Sequence, residues 1–173
     1  MHYKRHYCKS KGDEMKSDTI SAYDVALYFL FRARELGAGD IISNLKMQKL
    51  LYYAQGHFLA TYQKPLFDDK IEAWEYGPVV KNVYDSFKCY GRLAIDFKEL
   101  DNFKSDIYTD EHLDTLPFVF NKYNISAIEL MHKTHSESPW LEYHNPYIPR
   151  EIPQEAIKKF FTEMFKQEAE RYI

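Results

Sequence analysis

Apolar residues recur every three to four positions over several stretches of the chain, and each such stretch predicts a helix with one buried face. The first runs from Ser21 to Leu36, with Ala22, Val25, Ala26, Phe29, Leu30 and Ala33 on the inward stripe. Ser21 with Asp24 forms its N-cap pair, and Gly37 or Gly39 ends it. A second helix begins at Ser43 or Asn44 and reaches Tyr62, with Met47, Leu50, Leu51, Ala54 and Phe58 inward. Gly56 inside it costs about 1 kcal/mol relative to alanine, so a neighbouring element is expected to pack closely there. Gln63-Lys64-Pro65 breaks the pattern. Ile71 to Tyr76 then alternates apolar and polar, the period of a half-buried strand. Pro78 suits the first turn of a third helix, closed by Gly91, with Val79, Val80, Val83, Tyr84 and Phe87 inward.

Beyond Gly91 the signals are shorter. Leu93-Ala94-Ile95 reads as a brief strand, and Asp96 to Asp114, with seven acidic and two basic residues, as a solvated loop. A helix over 110–123 carries Leu113, Leu116, Phe120 and Tyr123 in register, with a kink or a late start expected at Pro117. Ser126 and Glu129 form a capping box that opens a short helix to Thr134. The segment from His135 to Pro153 is punctuated by prolines. Within it, Tyr147 to Ile152 is an edge-strand candidate able to pair with Ile71–Tyr76. Pro153 opens a last amphipathic helix with Ala156, Ile157, Phe160, Phe161, Met164 and Phe165 inward. The expected fold is mainly α: one compact domain of five or six helices with a two- or three-stranded sheet.

Composition agrees. Of 173 residues, 45% are hydrophobic and 17% aromatic, which excludes a disordered chain, and only 6 Gly and 7 Pro argue against a turn-dense β-barrel. The net charge of −3 is uneven: residues 1–16 carry five basic and two acidic side chains, leaving −6 on the rest. Residues 1–16 are therefore read as a flexible basic N-terminal extension and 17–173 as the domain, with Met1 or Met15 as the start. No apolar run approaches the roughly 20 residues of a spanning helix, and the N-terminus has no signal-peptide core. Two cysteines, Cys8 and Cys89, provide no disulfide framework, which fits the cytoplasm.

Candidate chemistry is sparse. His132, His135, His144, Glu137 and Glu142 lie near one another in sequence, but no Cys/His zinc pattern or His-Glu-x-x-His helix is present, so no metal is expected. Cys89 sits at a helix end that disfavours a thiolate. No nucleophile elbow or phosphate loop occurs, and Asp68-Asp69 reads as a turn. Lys4, Arg5, Lys9, Lys11 and Lys16 with Tyr3 and Tyr7 form a basic aromatic arm able to touch phosphate. The acidic remainder opposes duplex binding. Fifteen tyrosines, among them Tyr52, Tyr53, Tyr62, Tyr76, Tyr84, Tyr90, Tyr143 and Tyr147, suggest a protein interface beside a core role.

Three ordered segments resemble one known family. Asn44-Leu45-Lys46-Met47-Gln48-Lys49-Leu50-Leu51-Tyr52-Tyr53-Ala54-Gln55-Gly56 is similar to the opening signature of the Panacea-domain family, which includes SocA-like antitoxins and phage-associated proteins. Ile71-Glu72-Ala73-Trp74-Glu75-Tyr76-Gly77-Pro78-Val79-Val80 resembles its central motif, and Thr134-His135-Ser136-Glu137-Ser138-Pro139-Trp140 its C-terminal one. The resemblance implies a non-enzymatic antitoxin, without cofactor, that neutralises a cognate toxin protein encoded nearby by direct contact. Its alternatives are an adaptor delivering the toxin to a protease, or a DNA-binding regulator of a mobile element or prophage. An enzyme using His135 and Glu137 as acid and base is a third reading. Leu50, Tyr52, Tyr53, Gln55, Trp74, Tyr76, Gly77, Pro78, Val79, His135, Glu137, Pro139 and Trp140 are then scaffold or contact residues. Trp74, Tyr76, Gly77 and Pro78 are expected to build a strand-to-helix corner, tied by Gln55, Tyr52, His135 and Glu137 to the C-terminal motif. Exposed Asp101, Asp106 and Asp110 are the expected partner surface, suited to a basic toxin.

Overall fold

The computed structural model describes residues 19–37 and 41–171. The proposed extension over 1–16 lies outside the described residues. Among the described residues seven α-helices and one small sheet follow in order: α1 (Ala22–Leu36), α2 (Asn44–Tyr62), β1 (Ile71–Trp74), β2 (Gly77–Val80), α3 (Lys81–Phe87), α4 (Asp110–Lys122), α5 (Ala127–His135), α6 (Ser138–Tyr143), β3 (Arg150–Glu151) and α7 (Gln154–Glu170). The fold is mainly α, as its apolar periodicity predicts, and α6 is the helix the pattern does not announce.

Local chemistry fixes the helix ends. Ser21 caps α1 through the Asp24 amide, Ser43 caps α2 through the Lys46 amide, and Ser126 with Glu129 closes a full capping box on α5. Thr109 and His112 form a second box that starts α4 at Asp110, so Pro117 does not delay this helix. Pro117 lies inside α4, where it lacks the N–H that would reach the carbonyl of Leu113, a residue on the exposed flank.

α2 is the hub. It packs against α1, α3, α4, α5, α7 and β2, and is buried on nearly every face from Asn44 to Leu59. The closest approach is to α7. A Cβ on Gly56 would overlap the Phe161 ring, so the glycine predicted to admit a neighbour does so. Phe161 is fully buried and meets Tyr52, Tyr53 and His57 edge-on. Burying one such ring contributes about 1.5–3 kcal/mol.

The sheet has the order β2-β1-β3, all antiparallel. β3 pairs Arg150 with Ala73 and Glu151 with Glu72, the edge strand expected opposite β1. The corner at Gly77-Pro78 differs from expectation. It is not a strand-to-helix junction but a hairpin, with Trp74 opposite Gly77 and Ala73 opposite Pro78. The third helix starts at Lys81 rather than at Pro78. Pro78 is accommodated because β2 is an edge strand.

Two further expectations change. Leu93–Ile95 is not a strand but a single bridge, Ser43 opposite Ala94, with the Ile95 amide on the Ile42 carbonyl at 2.9 Å. The acidic stretch is not a plain loop either. It folds into 3₁₀ turns at Phe97–Asn102 and Ser105–Ile107 before α4, and the first of these lies along α1. No helix among the described residues is long and apolar enough to cross a membrane.

Candidate functional site

A helix buried on all sides normally carries apolar residues throughout. α2 instead buries Asn44, Lys46, Gln48, Lys49, Gln55 and His57. Each is held by a specific partner, because an unpaired polar group in the interior is costly. Asn44 Nδ2 donates to the Tyr84 carbonyl at 3.0 Å and Lys46 Nζ to Asn124 Oδ1 at 2.8 Å. Gln48 donates to Asn44 Oδ1 and accepts the Val80 amide, both at 2.9 Å. Gln55 accepts the Leu66 amide at 2.9 Å and donates to the Phe67 carbonyl at 2.8 Å. The helix therefore grips the hairpin and the 66–67 loop through side chain-to-backbone bonds.

Lys49 is the extreme case. Its side chain is fully buried, and Nζ donates to the Pro78 carbonyl at 2.9 Å. Burial pushes its pKa down to about 7. Gly77 lies directly over it with φ +101°, and a Cβ there would come within 2.7 Å of Thr134 Oγ1 and 2.8 Å of Lys49 Cε. Gly77 thus serves both the turn and the close approach of hairpin, lysine and α5.

The C-terminal motif closes the same region. Trp140 Nε1 donates to the Trp74 carbonyl at 2.8 Å, clamping α6 to the end of β1. Its indole is sandwiched between His135 at 4.0 Å and His144 at 4.3 Å. Burial lowers the His135 pKa, the Lys49 charge adds to the shift, and a hydrogen bond with the Glu75 backbone opposes it. Tyr53 donates its hydroxyl to Glu137 Oε1 at 2.9 Å. Burial raises the Glu137 carboxyl to about 7, against the Tyr53 and Tyr52 hydrogen bonds that favour the anion. Tyr53 stacks on Tyr123 at 3.8 Å, and the Tyr123 hydroxyl lies 2.8 Å from His57 Nε2. Burial, then the Lys122 charge, pushes His57 down to about 3, so its imidazole is neutral.

The structure brings together Tyr53 with Glu137, Trp74 with Trp140, Trp140 with His135, and Pro78 with α2. Val79 faces Glu72 across the hairpin, Leu50 is core, and Pro139 is buried in the first turn of α6. Gln55 does not reach the C-terminal motif; it holds the 66–67 loop. The Tyr52 hydroxyl is buried beside the Glu137 carboxyl, and burial first, then the charge of Glu137 and its hydrogen bond, holds its pKa well above the ordinary tyrosine value. Tyr52 and Tyr53 are core residues rather than interface residues, whereas Tyr76 and Tyr147 are exposed. Asp101, Asp106 and Asp110 are exposed, the first two on the 3₁₀ turns and the third at the head of α4. None of them joins the seam.

Sequence reasoning passed over Gln48, Lys49 and Thr134. A Gln-Lys pair flanked by Met47 and Leu50-Leu51 within one helix was the available signal, since charge amid an apolar run needs a buried partner. Among the described residues no group of three or more His, Cys, Asp or Glu could hold a metal ion.

Residues 47–141 match the family described as antitoxin SocA-like, Panacea domain. Over 100 residues the chain is 39% identical to the protein named Antitoxin SocA from Caulobacter vibrioides (strain NA1000 / CB15N), a stretch covering 57% of the chain and 50% of that relative. The chain thus spans about half the length of the curated relative it matches. No solved structure matches the chain. The family match runs from the first turn of α2 into α6 and takes in the seam residues from Gln48 to Trp140, while α1, α7 and the first three residues of α2 lie outside it.

Proposed function

The chain belongs to the family of SocA-like antitoxins with a Panacea domain, and from that membership we propose that it neutralises a cognate protein toxin by direct, non-enzymatic contact in the cytoplasm. One observation carries the non-enzymatic part: the polar atoms of the seam are turned inward. Lys49, Gln48, Gln55 and Trp140 each use their hydrogen-bonding groups on backbone of the same chain. A catalytic constellation needs such groups to face substrate. The motif residues from Leu50 to Trp140 are accordingly the scaffold, and recognition falls to surface around it.

Asp101, Asp106 and Asp110 are the proposed steering surface for a basic toxin, because like-signed exposed charge accelerates encounter with a complementary partner. The partner is proposed to be encoded beside the antitoxin gene.

The test is co-expression with the product of the adjacent reading frame, read by growth and by co-purification. Rescue with a stable complex supports direct neutralisation. Rescue accompanied by loss of the toxin protein replaces it with the adaptor reading. Two non-toxic neighbours overturn the toxin-binding proposal.

A further inference from the structure

Between α2, α4 and α7 lies a cleft of about 460 Å³. His57 and Thr115 line it, although they are only 3% and 7% exposed. His57 Nε2 is engaged by the Tyr123 hydroxyl, whereas Nδ1 has no hydrogen bond among the described residues and is not sealed from solvent. The same holds for Thr115 Oγ1. Two nearly buried side chains thus each leave one polar atom open, and the cleft is the opening they share. Native folds seldom leave such groups unmatched without a purpose.

Tyr123 sets the tautomer. Its hydroxyl is buried and has no other acceptor among the described residues, so it donates to His57 Nε2 and leaves the ring proton on Nδ1. The cleft therefore offers an N–H donor at His57 and a hydroxyl at Thr115. Phe118 from α4 and Phe165 from α7 stand against the imidazole, at 5.4 and 4.8 Å between ring centroids, and wall the cleft with rings. A phenol matches this set, because its ring is apolar and its hydroxyl both accepts from an N–H and donates to a second oxygen. The mouth adds charge. Glu168 there is paired with Lys122 at 2.9 Å, but exposed Asp114 has no ion pair among the described residues and lies one turn after Asp110 on α4. An anionic ligand is disfavoured, and the cleft continues the proposed acidic surface.

We propose that this cleft receives one tyrosine side chain, flanked by basic residues, from the partner protein, its ring against Phe118 and Phe165 and its hydroxyl accepting from His57 Nδ1 and donating to Thr115 Oγ1. This deepens the antitoxin reading and rests on it for the identity of the partner. A tyrosine anchor fills a pocket and satisfies its polar floor at little cost in rotamer entropy, which is why such residues carry much of an interface's energy. The acidic stretch then guides the encounter, and the cleft holds the partner.

The cleft is testable without the partner. Capped Lys-Tyr-Lys, Lys-Phe-Lys and Glu-Tyr-Glu tripeptides are titrated into the full chain and followed by amide and histidine-ring chemical shifts. Saturable shifts at His57, Thr115, Phe118 and Phe165 are expected with Lys-Tyr-Lys, and binding at least about fivefold weaker with each of the other two. The free protein should carry the His57 ring proton on Nδ1. Thr115→Val, which keeps the shape and removes the hydroxyl, is expected to weaken Lys-Tyr-Lys at least about threefold and to leave Lys-Phe-Lys unchanged. Ala169→Trp, at an exposed position lining the cleft, is expected to block both peptides. Equal affinity for the tyrosine and phenylalanine peptides, a ring proton on Nε2, or no saturable shift at these residues overturns the proposal. So does a glutamate peptide that binds as tightly as Lys-Tyr-Lys, or binding left unaltered by both variants. Failure of co-purification with wild-type protein strikes the antitoxin reading instead, and the peptide titration is unaffected by it.

Discussion

The seam around α2 and the acidic stretch at 96–110 are both polar, and they use polarity in opposite ways. In the seam, Lys49, Gln48 and Gln55 are almost wholly buried and fixed to named backbone atoms. In the acidic stretch, Asp101 and Asp106 stand in solvent on short 3₁₀ turns. Interior polar groups specify one arrangement of helix and hairpin, because every alternative leaves donors unpaired. Within the acidic stretch Asp96 caps the first 3₁₀ turn and Glu99 accepts the Tyr90 hydroxyl, whereas Asp101 and Asp106 stand in solvent, open to a partner. The comparison separates the part of the sequence that makes the domain from the part that is free to choose whom it meets.

Removing the ring that fills the hub is the largest expected break. Phe161→Ala empties the space against Gly56, Tyr52 and His57. It should destabilise the domain by about 3–5 kcal/mol in urea unfolding. Gly77→Ala comes next at about 2–4 kcal/mol, since a side chain at φ +101° is strained and would press on Thr134 and Lys49. Retention of wild-type stability by that variant would refute the packing described for the hairpin.

Acid–base behaviour sharpens the comparison further. Burial raises Glu137 to about 7, so its contribution is full below the ordinary glutamate range and is lost as pH rises through 7. Lys49 has the reverse sign: lowered to about 7, it contributes fully above the ordinary lysine range and loses that as pH falls towards 7. Glu137→Gln should flatten the decline in stability between about pH 4.5 and 7, and Lys49→Met the rise between about pH 7 and 10. Denaturant midpoints at pH 5, 7 and 9 check both slopes. The smallest structural effect belongs to reversing Asp101, Asp106 and Asp110 to lysine, within about 0.5 kcal/mol of wild type. The same triple variant should slow association with the toxin and weaken its salt dependence.

Much of this fold was legible because its signals are local. Ser126 and Glu129 announce α5 within four residues, and the apolar stripes of α1, α2 and α7 need only their own period. The hairpin was not legible. Pro78 carries the same φ in a helix's first turn and in an edge strand, and what decides between them is Lys49 and Gln48 on a distant helix. α6 was missed because six residues opened by Ser138-Pro139 carry too little periodicity to stand out. Of the site, a tie between the Trp74 corner and the C-terminal motif was expected, and Tyr52 does lie beside Glu137, but the Trp140 bond to Trp74 and the Tyr53 bond to Glu137 need three dimensions, and Gln55 holds the 66–67 loop instead.

The dependence of α2 on α7 also has a temporal side. During synthesis α2 emerges about a hundred residues before Phe161, and until that ring arrives Tyr52, Tyr53 and His57 lack the α7 part of their cover. The domain's hub is thus complete only when its last helix leaves the ribosome, so the nascent chain spends most of its translation with its most polar interior helix half-housed. The docking of α7 thus sets when the finished domain, with whatever surface it offers a partner, first exists.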